Sequence, residues 1–337
     1  MRRQGALLAG IGASIGMAIL IFDARTAYQG ASEGIDLCIR TVIPALFPFF
    51  VLSILLTGNL VGQSIPFLRP IGKLCGIPLG SESLLLVGLL GGYQVGAQNI
   101  AQAYELGQLS GSDARRMLSF CSNAGPAFIF GMISQLFPNL IITWCLWGIH
   151  IFSAIMVGII FPGKSTAHIP MKKSAGITLS FSLERAIKVM AGVCGWVILF
   201  RIILSFLNRW FLWLLPETVQ VIAAGLLELT NGCSGLNEIE NLGLRFILCS
   251  GFLSIGGLCV TMQTVSVTGT LGIGQYVPGK ITQTAISILA ATLLQYILFQ
   301  PEQQCMIPIL ILTVCVLVCG IMIFLRNNSR KMQQIGV

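Results

Sequence analysis

Charge is what this sequence has least of. Of its 337 residues, 9% are Asp, Glu, Lys or Arg and 55% are apolar; a soluble globular chain carries about 25% charged residues. No charged residue occurs in 41–68, 83–104, 117–163, 246–279, 281–301 or 303–325. A helix needs ~20 apolar residues to cross a bilayer, and no soluble core of this chain length could hide such runs. The scarcity excludes a cytosolic enzyme and a DNA-binding domain, and makes the lipid bilayer the first partner. Histidine is almost missing: His150 and His168 stand apart from any Cys/His cluster, and the 11 cysteines form no C-x-x-C pair, so no zinc pattern is present. Most cysteines sit inside apolar runs, where the thiol packs as a small hydrophobe. Walker A, H-E-x-x-H and Ser-His-Asp patterns are also missing, which leaves neither ATP drive nor intramembrane proteolysis encoded. The expectation is a non-enzyme with no metal and no cofactor.

What is present is a series of apolar segments, at about 5–22, 42–62, 83–101, 119–137, 139–162, 188–208, 218–236, 246–268, 281–300 and 306–325. The first follows Arg2 and Arg3, is long for a signal-peptide core and lacks a cleavage site just beyond Phe22, so it reads as an uncleaved span. Two segments are unlike the rest. Segment 83–101 carries Gly88, Gly91, Gly92 and Gly96; segment 218–236 carries Gly225, Gly232 and Gly235 together with Glu228, Thr230 and Asn231. Such residues at membrane depth are tolerated where backbone is buried in protein or lines a cavity. Both segments are therefore expected to be re-entrant hairpins.

The basic residues test that expectation. The net charge of +8 is no nucleic-acid footprint, because the basic residues flank apolar segments. With the N-terminus inside and both odd segments re-entrant, 15 of the 20 basic residues fall inside and only Arg25, Arg40, Arg209 and Arg245 outside. If both odd segments crossed, the split would be 9 inside to 10 outside. The positive-inside rule selects the first arrangement. It gives eight spans, two hairpins, cytoplasmic termini, and 102–118 and 163–186 on the cytoplasmic side. Within 102–118, Ser112 is the expected N-cap of a short helix, with Arg115 and Arg116 at the membrane face.

An internal repeat supports the same plan. GLLGGYQVG at 88–96 lies over GLLELTNGC at 225–233, with Gln94 on Asn231; 115–131 lies over 244–260. The units start on opposite sides, so the fold class is an all-α polytopic membrane protein with an inverted repeat of span, re-entrant hairpin and broken span. The divisions are 1–34, a first span and connection; 35–162, the first unit; 163–186, a basic cytoplasmic linker; 187–268, the second unit; and 269–337, a two-span segment with a basic tail. Inverted repeats hold substrate and coupling ion near the midplane where broken helices meet.

The candidate site residues follow from cost. Glu228 is the acidic residue set in the middle of an apolar segment, and Arg201 is the basic residue deep in a span; a charge in the bilayer needs a partner, an ion or a proton. Arg201 either pairs with Glu228 or faces an anionic substrate. In SNAGP at 122–126, Pro126 frees backbone carbonyls near Ser122 and Asn123, which could hold a cation or a polar ligand. Thr230, Asn231, Gln94, Gln98 and Gln263 add neutral hydrogen-bonding groups. The breaks and hinges are assigned to Gly91, Gly92, Gly96, Gly125, Pro126, Gly232, Gly256 and Gly257. Both charges are expected to face one central polar cavity beside 122–126, with H⁺ or Na⁺ as the coupling ion.

The motifs LFPFFVLSILL (46–56), GLLGGYQVGAQNIAQAYELGQLS (88–110), ARRMLSFCSNAGPAFIFG (114–131), GLLELTNGC (225–233) and SIGGLCVTMQ (254–263), in this order, resemble the YlbJ-type sporulation integral membrane proteins. These sit within the wider nucleoside-recognition (Gate) domain set. In the family's first-hairpin motif, Gln94 stands at the proline and Gln98 at the lysine; Thr261-Met262-Gln263 stands at its H-x-Q. The resemblance implies a Gate fold related to concentrative nucleoside transporters and a spore-forming, Gram-positive source. It further implies movement of a small organic anion, dipicolinate, across a forespore-surrounding membrane. A nucleoside or base carrier and a non-transporting sporulation scaffold are the competing readings. A homo-oligomer or other sporulation membrane proteins are the protein partners such a chain would have.

Overall fold

The computed structural model describes residues 2–60, 65–161, 163 and 176–299. The expected span at 306–325, the basic tail and residues 164–175 of the linker 163–186 lie outside the described residues. All regular structure among the described residues is helical. Among the described residues five helices are long and apolar enough to cross a membrane: Ala24–Leu60, Leu140–Ile160, Leu179–Trp210, Leu242–Leu271 and Tyr276–Phe299.

Helix α1 covers Arg2–Phe22, and Asp23 caps α2 (Ala24–Leu37) by accepting from the Thr26 amide at 3.3 Å. A π-turn at Cys38–Val42 leads into α3 (Ile43–Leu60). Residues 24–34, read from sequence as a connection, thus belong to a 37-residue helix, and the expected division at 34/35 falls inside it. Its polar residues are not loop residues. The face marked by Gly30 and Gly34 packs antiparallel on α10 (Leu179–Trp210), where a Cβ on Gly30 would stand 2.9 Å from the Ile202 Cα and one on Gly34 3.0 Å from the Ile198 Cα. Small residues four apart let two helix backbones approach closely in lipid. Asp23–Arg209 at 2.7 Å and Glu33–Arg201 at 2.6 Å close the same seam.

After the short α4 (Arg69–Leu74) comes the first odd segment. It forms α5 (Glu82–Leu90), a break at Gly91–Gly92, and α6 (Tyr93–Glu105). The two arms fold together: a Cβ on Gly96 would lie 3.1 Å from the Gly88 Cα. Gly92 has φ +86, a conformation open to glycine at little cost. The second odd segment repeats the plan as α11 (Glu217–Leu227) and α12 (Leu229–Gly235), where a Cβ on Gly232 would lie 2.1 Å from the Gly225 Cα. Here the break is an extended Glu228, at φ −145, and needs no glycine.

Each pair is followed by an interrupted segment. Helix α7 (Gly111–Met117) is capped by Ser110, which accepts from the Asp113 amide at 3.1 Å, so the cap expected at Ser112 lies two residues earlier. Residues 122–125 then run without helix before α8 (Pro126–Gly131). In the expected broken span at 119–137 the non-helical stretch is thus 119–125, and helix resumes at Pro126, which is favoured in the first turn of a helix. In the second half the interruption is a single point: α13 (Leu242–Ile255) and α14 (Gly257–Thr268) join at Gly256 and Gly257, with φ +72 and +77. Helix α9 is Leu140–Ile160 and α15 is Tyr276–Phe299. The largest buried cluster joins the halves, with Phe128, Ile133, Leu146, Leu229, Phe246 and Leu253 among its members.

Candidate functional site

The extended segment 121–125 lies across the first helix pair. The Cys121 carbonyl sits in the groove that Gly88 and Gly96 leave open, 2.3 Å from where either Cβ would be. Ser122 donates to the Tyr93 carbonyl at 3.0 Å, and the Asn123 amide to the Phe120 carbonyl at 2.6 Å. From behind, His150 Nε2 accepts from the Ala124 amide at 3.0 Å. In the second half, the break at Gly257 packs on the last turn of α11, with its Cβ position 3.0 Å from the Gly225 carbonyl. The halves join at Tyr93, whose hydroxyl donates to the Leu253 carbonyl.

Glu228 ends α11 and caps α12. Its carboxylate accepts from the Thr230 amide at 3.0 Å, the Asn231 amide at 2.7 Å and the Asn231 side-chain amide at 2.6 Å, and the residue is 2% exposed. A carboxylate at a helix N-terminus satisfies donors that otherwise lack partners and meets the positive end of the helix dipole. Asn231 in turn accepts from Arg201 at 2.9 Å. Arg201 does not touch Glu228: its main partner is Glu33, which sequence reasoning assigned to a connection.

Three cavities follow one another through this region. A small one, about 60 Å³, is lined by both breaks: Gly91, Gly92, Tyr93, Gln94, Gly125, Glu228, Thr230 and Gln263. Gln94 also lines a second cavity, about 350 Å³, with Gln98, Glu184, Arg185 and Lys188. Beyond Asn231 lies a third, about 740 Å³, lined by Glu33, Asp36, Arg40, Arg201, Glu217 and Glu238 among others. The expectation that Glu228 and Arg201 share one cavity beside 122–126 is corrected: Asn231 stands between them. Gly96 and Gly232 serve arm packing and do not line the small cavity. Ser122 and Asn123 do not line it either, and face Lys280 behind it. Gln94 contributes a buried Oε1 without a hydrogen-bond partner.

Sequence reasoning missed three polar residues here. Lys280, read as a loop residue at the membrane face, is 2% exposed; its ammonium donates to the Ser122 carbonyl and, at 2.8 Å, to Gln283 Oε1. Arg116, also assigned to the membrane face, is 5% exposed and donates to the carbonyls of Cys75 at 2.7 Å, Gly76 at 2.6 Å and Phe161 at 3.2 Å. Burial pulls its pKa below the usual guanidinium value. Tyr93 was the third, and its sequence signal is an aromatic beside a Gly-Gly break. Arg116 falls on Arg245 in the repeat, and Arg245 also caps loop carbonyls, those of Leu136 at 2.9 Å and Ile239 at 2.7 Å.

The chain is similar to the sporulation integral membrane protein YlbJ of Bacillus subtilis (strain 168). The two are 25% identical over 298 residues, which span 74% of this chain and 72% of that protein. The similarity supports the YlbJ-type membrane family that the motif order resembles. No protein-family profile matches the chain. No solved structure matches it.

Proposed function

We propose that this chain is a membrane transporter for a small polar solute, with a small organic anion such as dipicolinate as cargo and Glu228 as the site of a coupling H⁺ or Na⁺. The observation that carries the reading is the set of three cavities, in which the small one is bounded by Gly91 and Tyr93 on one helix pair and by Glu228 and Thr230 on the other. Those are the aligned positions of the proposed inverted repeat. An alternating-access carrier needs such an arrangement: a closed chamber, wider spaces on either side, and one movable element per side. In this reading the helix pairs are re-entrant hairpins, the 740 Å³ cavity opens outward and the 350 Å³ cavity inward. The basic lining of the inner cavity, Arg185 and Lys188, agrees with a cytoplasmic face.

In this reading cargo reaches the small cavity when an arm of one pair moves. The neutral amides of Gln94 and Gln263 in the chamber favour, as a second reading, a nucleoside or nucleobase carrier. The relative's name supports a role in spore formation, and this reading takes the membrane to be one around the forespore. Uptake into proteoliposomes, comparing labelled dipicolinate with uridine, separates the readings. Saturable dipicolinate uptake that uridine does not inhibit is the expected result. Uridine uptake alone selects the carrier of bases, and no uptake of either by folded protein selects a scaffold.

A further inference from the structure

We infer that the first helix break contains a monovalent-cation site whose resident cation is the protein's own Lys280 ammonium. Three neutral oxygens converge on it: the Ser122 carbonyl, Gln283 Oε1 at 2.8 Å and Asn123 Oδ1 at 3.4 Å. None of the ion pairs among the described residues includes Lys280. The ammonium also stands 5.4 Å from the centre of the Tyr93 ring and 5.8 Å from that of Tyr276, both within cation–π range. His150 adds no charge of its own, because its Nε2 is an acceptor for the Ala124 amide. Carbonyl and amide oxygens around a buried cation, with aromatic faces and no carboxylate, form a ligand set suited to a monovalent ion rather than to a divalent one, which draws carboxylates.

The placement of Lys280 is built. Gly279, the residue before it, lets α15 close on the first break: a Cβ there would fall 2.3 Å from the Ser119 Cβ and 3.0 Å from its Cα. Gln283, one turn on, both accepts from Lys280 and donates to Asn123 Oδ1 at 3.0 Å, so it orients the asparagine oxygen toward the ammonium. The Ser122 carbonyl is one of those the nearby Pro126 leaves without a helical donor. Lys280 supplies that donor with a full positive charge. The break therefore carries its cation on a tether and needs no free Na⁺ at this point.

This inference is independent of the transport reading, and its test reads stability. The full chain in detergent is melted in NaCl, ethylammonium chloride or choline chloride at equal ionic strength. The parent should melt at the same temperature in all three. Lys280→Ala leaves three buried oxygens facing a void, and in choline its Tm should fall by ~5 °C or more. Na⁺ or ethylammonium, which fit the void, should restore about half of that loss saturably, and choline should not. Lys280→Met, which fills the void with an apolar tail, should show no such recovery. If Lys280→Ala is not recovered folded, Lys280→Gly is taken through the same three salts. Equal melting of either folded variant in all three salts overturns the proposal. So does saturable Na⁺ stabilisation of the parent that Asn123→Ala removes, and so does failure of both variants to fold in every salt.

Discussion

Asn231 is the residue on which the two opposite charges of the second half are balanced. Its Oδ1 accepts from Arg201 and its Nδ2 donates to Glu228, so the charges are linked without contact. Two outcomes follow. Glu228→Gln keeps an oxygen to cap α12, so the variant should insert and fold with a loss of ~1–2 kcal/mol. It should lose the pH and Na⁺ dependence of uptake; uptake with the parental dependence would remove Glu228 from coupling. Arg201→Met tests a different point. Arg201 lines the 740 Å³ cavity and its pair with Glu33 is half-exposed, so its removal should cost no more than ~1 kcal/mol. From sequence alone its loss would be expected to weaken anions more than neutral solutes. With Asn231 standing between Arg201 and the small chamber, anionic and neutral uptake should instead fall by the same factor, as relative transport rates would show.

At the scale of elements, close approach of backbone decides what the helix pairs can accept. A Cβ at Gly88 or Gly96 meets the Cys121 carbonyl at 2.3 Å, and one at Gly232 meets the Gly225 Cα at 2.1 Å. These are backbone atoms that cannot turn aside. Gly88→Ala, Gly96→Ala and Gly232→Ala should each cost ~3 kcal/mol or more and reduce the yield of monodisperse protein. Gly12 and Gly16 of α1 have no atom within 4 Å of their Cβ positions. Gly12→Ala and Gly16→Ala should be neutral or stabilising by up to ~1 kcal/mol. Equal tolerance at all five positions, read by size-exclusion and thermal melts, would contradict the packing. Arg116 is an element-scale staple as well, since one guanidinium ties α7 to the carbonyls after α4 and at the end of α9. Arg116→Ala leaves those carbonyls without donors and should cost ~3 kcal/mol or more.

The whole-molecule proposal is an orientation: the Arg201 cavity outward and the Lys188 cavity inward. Cysteine substitution tests it in a chain with Cys145, Cys194, Cys305, Cys315 and Cys319 replaced by Ser, in which the remaining Cys38, Cys75, Cys121, Cys233, Cys249 and Cys259 are buried. In intact cells an impermeant thiol reagent should modify Glu217→Cys and not Lys188→Cys; Lys172→Cys, outside the described residues, should also stay unmodified. The reverse pattern would invert the molecule, and labelling of all three would end the re-entrant reading.

The all-helical, membrane-embedded character was legible in composition, since apolar runs free of charge have no stable place in water. The two glycine-rich breaks were legible as well, because Gly-Gly and a lone Glu inside an apolar run contradict a plain span. Glu228, Thr230, Gln94 and Gln263 do converge on one chamber. Less legible were residues whose meaning depends on a distant partner. Glu33 read as a loop acid until packing of Gly30 and Gly34 on α10 brought it to Arg201, though GASEG at 30–34 carried the small-residue signal. Lys280 read as a flanking charge because hydropathy counts only its neighbours in the chain, whereas two of its three oxygens come from residues more than 150 positions away. The sequence by itself determined where backbone must be irregular, because propensity and solvation are local. Only the tertiary structure decided which charge answers which break, because burial and pairing depend on elements that meet through folding.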